Sequence, residues 1–96
     1  MSIPNQILPE PEINEEEDIG SDFESRVILF NDDWHTFEEV IVQIMKAIKC
    51  TFELARKKTF EVHVKGQAVI YSGKLADCIK VSSVLEEIAL HTQVVT

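Results

Sequence analysis

The chain has 96 residues, which bounds it to one small domain, and a formal charge of −8. The eight acids from Met1 to Ser25 face no Lys or Arg, whereas residues 26–96 hold nine acids and nine bases; a balanced body behind an acidic tail argues against nucleic-acid binding. No apolar run is long enough to span a bilayer and the start lacks the features of a signal peptide, so a cytoplasmic protein is expected.

Residues 1–25 contain all three prolines (Pro4, Pro9, Pro11), a run of acids and few large apolar side chains. This is the composition of a disordered arm, and residues 26–96 are expected to form the core domain. The core opens with Val27-Ile28-Leu29-Phe30, an unbroken apolar run of the kind that forms a strand covered on both faces, over about Arg26 to Asn31. Asn31, Asp32 and Asp33 end it, because their side chains compete for nearby backbone groups and favour turns. Thr36 and Glu39 have capping-box spacing, which starts the first helix at Phe37. Phe37, Val40, Ile41, Ile44, Met45 and Ile48 then repeat as an amphipathic stripe.

Thr51 is the expected cap of a second helix, with Phe52, Ala55, Thr59 and His63 along one side and Lys57, Lys58, Glu61 and Lys65 along the other. Gly66 suits a left-handed end to that helix, which puts His63 in its last turn, on a partly enclosed side. Gln67 to Ser72 reads as a second strand. Leu75, Cys78, Ile79, Ser82, Leu85, Ile88 and Ala89 repeat as a third helix, and Gln93 to Thr96 can form a short third strand. The order β-α-α-β-α-β predicts an α+β fold: three helices packed on a small three-stranded antiparallel sheet.

Three acceptors between strand and helix, beside Trp34 and Phe37, suit a small cation carrying an apolar group. Taken alone, the same residues describe a solvated turn before a helix cap, and a lone His63 fits a packed histidine or a favourable charge at a helix C-terminus. Cys50 and Cys78 lie far apart without a C-x-x-C pattern, so reduced thiols are expected rather than a disulfide. His35, His63 and His91 show no ligand spacing with them, and neither a metal site nor a cofactor is expected.

The run from Val27 to Asp33 resembles the ClpS signature, in which an apolar strand enters Asn-Asp-Asp. Thirty-two positions after Asn31, Val62-His63-Val64-Lys65-Gly66 is similar to that family's Val-His-x-x-Gly. Two motifs at the matching separation are far more specific than either one. The resemblance covers Arg26 to Thr96 and implies a non-enzymatic adaptor. It would capture N-degrons, proteins whose first residue is large and hydrophobic, and deliver them to the N-terminal domain of a ClpA-type AAA+ unfoldase for degradation by ClpP. By resemblance, Asn31, Asp32 and His63 bind the free α-amino group, and Phe37, Val40, Thr59 and Val62 line the pocket for the first side chain. The arm would serve in handing over substrate, and a monomer is implied.

The chemistry of the motif agrees with that assignment: an ammonium has three N–H donors, which an Asn oxygen, a carboxylate and a neutral imidazole nitrogen could accept. The sequence also departs from the commonest pattern. Trp34-His35-Thr36-Phe37 stands where many members have Tyr-Thr-Pro-Met, Thr59 stands where methionine is frequent, the segment Ala68–Gly73 is about one residue shorter, and the C-terminal strand is truncated. Two further readings compete. A ClpS-like regulator would bind the unfoldase and alter its substrate choice without capturing N-degrons. An enzyme would use Asp32 or Asp33 to orient His63 as a general base, but no serine or cysteine sits in a nucleophile turn.

Overall fold

A computed structural model describes residues 24–96, so residues 1–23, and with them most of the expected acidic arm, lie outside the described residues. The elements are β1 (Ser25–Phe30), α1 (Phe37–Ile48), α2 (Phe52–Lys65), β2 (Gln67–Gly73), α3 (Leu75–Glu86) and β3 (Thr92–Val95). The expected order and the α+β class are both found.

β1 is the central strand of an antiparallel sheet ordered β2–β1–β3. Only alternate residues of β1, namely Ser25, Val27 and Leu29, are fully buried. The helices therefore cover one face, and the expectation of a strand covered on both is corrected. The apolar run persists because cross-strand neighbours half-shield the other face: Ile28 lies between Val69 and Gln93 in register, and the Phe30 ring meets His91 edge-on at 4.9 Å. A β-bulge skips Ile70, since Val27 pairs with Tyr71 and Ile28 with Val69.

The helices begin where local chemistry dictates. The Thr36 hydroxyl accepts from the Glu39 amide at 3.1 Å and the Glu39 carboxylate accepts from the Thr36 amide at 2.8 Å, a complete capping box. Thr51 caps α2 through the Leu54 amide at 3.2 Å. Gly66 closes α2 at φ 88, in the left-handed region that costs glycine nothing. Leu29, Ile44, Leu85, Val27 and Cys78 are completely enclosed at the meeting of sheet and helices. Cys50 and Cys78 are free thiols, half-buried and buried.

Two stripes differ from their sequence spacing. In α2 the inward positions are Ala55, Thr59 and Val62, while Phe52 and His63 are exposed. Phe52 lies in the first turn, and in the last turn Val62, not His63, takes the inward position. In α3, Cys78, Val81, Ser82 and Leu85 face inward, and the helix ends at Glu86. Glu87 and Ala89 donate to Val84 and Glu86 in three-residue turns, and Ala89 takes φ 65, so Ile88 and Ala89 belong to the turn that leads back into β3.

Candidate functional site

The loop from Asn31 to Thr36 is built around one side chain. Asp32 Oδ1 accepts from the amides of Trp34 at 3.1 Å and His35 at 2.9 Å, the self-bonded turn that short acidic side chains favour after a strand. Its Oδ2 accepts from His35 Nδ1 at 2.7 Å. The opposite ring nitrogen, Nε2, donates to the carbonyl of Ile88, in the connection between α3 and β3. These Asp32 and His35 side chains are only 17% and 9% exposed. Burial pushes the Asp32 carboxyl up, but the His35 amide and ring and the Trp34 amide outweigh it and hold the group below its ordinary value. The Asp32 carboxylate raises the His35 imidazole; burial opposes this, and the Ile88 carbonyl adds to it.

The strand end is tied to the second helix as well. The Asn31 amide donates to the Gly66 carbonyl at 2.9 Å, and the Phe30 amide to the His91 carbonyl at 3.0 Å. Asn31 thereby stands beside the last turn of α2, which carries His63. The two motifs, separated in sequence, meet at one rim.

Below that rim lies a cavity of about 280 Å³. All seven sequence-derived site residues line it: Asn31, Asp32 and His63 with Phe37 and Val40 of α1 and Thr59 and Val62 of α2. Thr59 is 3% exposed and donates its hydroxyl proton to the Ala55 carbonyl at 2.8 Å, so this polar wall residue leaves no unmet donor. His63 presents its ring to Phe37 edge-on, at a centroid distance of 6.2 Å. It is exposed rather than enclosed, which corrects the sequence expectation.

Sequence reasoning passed over Leu29, Leu90 and His35, which also line the cavity, and named Asp33 only as one of the three acceptors of the turn. Asp33 was legible as a third acceptor in the same turn; Leu90 carried no local signal, because the turn after α3 brings it there. Asp32 engages His35 rather than His63, and among the described hydrogen bonds no carboxylate reaches the His63 ring. The oriented general base of the enzyme reading is therefore not assembled. Three of the roughly four acceptor positions of the Asp32 carboxylate are already in use. Asp33 is exposed and makes no hydrogen bond among the described residues. The lining carries two carboxylates and no Lys or Arg, a field suited to one small cation. Among the described residues no group of three or more His, Cys, Asp or Glu is placed to hold a metal ion. No helix there is long and apolar enough to cross a membrane.

An α+β domain thus places apolar walls and polar acceptors side by side in one cavity, at the junction of strand, loop and two helices. Residues 21–93 match the model of the ATP-dependent Clp protease adaptor protein ClpS. The chain belongs to the ClpS family, whose members are adaptors of that protease. A ClpS adapter protein of Thermosynechococcus vestitus is 41% identical over 49 residues; the matched stretch covers 50% of this chain and 52% of the relative, about half the length of each. The structure of Agrobacterium tumefaciens ClpS2 bound to L-phenylalaninamide superposes with a TM-score of 0.67, at 18% identity, over 74% of this chain and 95% of that one, which shows the same fold.

Proposed function

We propose that this chain captures N-degrons and delivers them to a ClpA-type AAA+ unfoldase for degradation by ClpP. The observation that carries the reading is the meeting of Asn31 and His63, from different elements, above a wall of Phe37, Val40 and Val62. Asn31, Asp32 and His63 accept the three N–H donors of the α-ammonium, and Asp33 supplies a further charge at the same rim. Phe37, Val40, Thr59 and Val62 enclose the first side chain. L-phenylalaninamide, the molecule bound to the A. tumefaciens relative, has this chemistry: a free amine beside a benzyl group.

The magnitudes explain why both halves of the ligand are needed. Each charge-assisted hydrogen bond contributes about 1.5–3 kcal/mol, and burial of a Leu or Phe side chain about 1.5–3 kcal/mol. Association costs about 4–15 kcal/mol, which neither one such bond nor the apolar burial offsets by itself. The cavity lies just below the roughly 300–1,000 Å³ of pockets for drug-sized ligands, a size for one side chain rather than a peptide. Residues 1–25 act as the arm that hands substrate to the unfoldase's N-terminal domain, and residues 26–96 as a monomeric, cytoplasmic binding core without catalytic activity.

The test is fluorescence anisotropy with peptides that begin Phe, Leu, Trp, Val or acetyl-Phe and are otherwise identical. Tight binding of the large apolar ends, lost on acetylation, is the expected result. Absence of binding to every free end, with retention by an unfoldase N-terminal domain in a pull-down, would replace this reading by the regulator that alters substrate choice.

A further inference from the structure

His35 sits in the loop that carries Asn31, Asp32 and Asp33, yet it points away from any role as a ligand acceptor. Its Nδ1 lies 2.7 Å from Asp32 Oδ2, and its Nε2 is in hydrogen-bond contact with the Ile88 carbonyl, 53 residues further along. Both partners are acceptors without a proton to give. A neutral imidazole has one N–H and could satisfy only one of them, turning a lone pair on the other. Only the imidazolium, with two N–H donors, fits both contacts. The charges that face the ring support that form: Asp32 from the loop and Glu39 from α1, with the Ile88 carbonyl from the α3–β3 connection. The Trp34 ring lies 5.1 Å away and adds no charge.

We propose that His35 is a positioning residue, a protonated staple that fastens the ligand-binding loop to the α3–β3 connection and releases it when it loses its proton. The proposal rests on the N-degron reading for its effect on binding. Asn31, Asp32 and Asp33 are held between two anchors: the Asn31 amide on Gly66 at one end and the His35 ring on Ile88 at the other. Cutting the second anchor removes the loop's side-chain tie to the α3–β3 connection, and the acceptors at the rim must then be ordered at the expense of binding. The same connection supplies Leu90 to the cavity, so the staple also couples the rim to the cavity wall. Below the raised His35 value the receptor is stapled; above it the loop is loose.

The experiment compares the protein with its His35→Gln variant, both as the full chain. Kd for a labelled Phe-first peptide is measured from pH 6 to 9, and the His35 ring is titrated by NMR without peptide, its signals being those missing from the variant. The two proteins differ only at position 35, so the ratio of the two Kd values isolates His35. The variant should bind about tenfold more weakly at pH 6, with the ratio falling toward one at pH 9, as expected when a charge-assisted contact is lost. His35 should titrate above the ordinary histidine value of about 6.5, with both ring nitrogens protonated below it. A ratio that is one throughout, or unchanged with pH, overturns the positioning role, and titration at or below the ordinary value overturns the staple itself. If neither protein binds any free end, the N-degron reading fails while the NMR titration still decides the staple.

Discussion

The amide of Asn31 donates to the carbonyl of Gly66 at 2.9 Å. This bond joins the end of the central strand to the cap of α2, and through it the Asn-Asp-Asp loop is held against the turn that carries His63. The proposed amine site depends on that junction, because its acceptors come from elements with no local connection.

Replacing Asn31 or His63 by Ala should therefore impair binding without unfolding the domain. Both side chains are exposed and neither belongs to the core. Each change should weaken capture of a Leu-first peptide by about 1.5–3 kcal/mol, the contribution of a hydrogen bond to a charged group. Anisotropy measures the affinity and circular dichroism the fold; unchanged affinity in both variants would remove the amine site.

Phe37→Ala tests the apolar wall. Phe37 is half-buried, lines the cavity and meets His63 edge-on. Its loss should weaken binding of a Phe-first peptide by about 1–2 kcal/mol, part of the burial contribution of an aromatic contact. A Val-first peptide, which reaches less of the wall, should lose less. Equal losses for both would point to an effect on His63 rather than on the wall.

At Gly66, with φ 88, an added Cβ would meet no atom within 4 Å. The cost of Gly66→Ala is thus backbone strain and not a clash, about 1–2 kcal/mol for a left-handed L-residue. Urea denaturation should show that loss, and peptide affinity should fall with it because the Asn31 anchor moves. Stability within about 0.5 kcal/mol of the parent, the scatter of a neutral surface change, would mean that the cap conformation is not maintained.

The Asp32–His35 pair also predicts a pH window for stability. Asp32 is held below its ordinary value, so its contribution is present above about pH 4 and disappears as pH falls through the lowered value. His35 is raised, so its contribution is complete below about pH 6.5 and disappears as pH rises through the raised value. The difference in Tm between the protein and His35→Gln should be greatest near pH 5–6 and shrink toward pH 9. A pair worth about 1 kcal/mol would give roughly 4–8 °C in a domain of this size. A difference that grows with pH would contradict the sign.

The features legible before folding are those decided over short range. The Thr36–Glu39 box, the Thr51 cap and the glycine that ends α2 each involve groups within four residues, so their chemistry is complete before the chain folds. The same is true of the turn that stops β1 at Asn31. The seven cavity residues came by resemblance: the two motifs at their matching separation pointed to the family, and the family's roles were carried onto these positions.

The tertiary structure alone decided the rest. Whether Val62 or His63 turns inward depends on what covers the last turn of α2, and there Val62 takes the buried position. The helical spacing of Ile88 and Ala89 could not reveal that the chain must reverse there to reach β3. No local signal could pair His35 with a carbonyl 53 residues away: that contact exists because β1 and β3 are adjacent strands, and sheet register sets which loops meet at their ends. Local hydrogen bonds settle where elements begin and end, while side-chain partners across the molecule wait for the packing that brings them together.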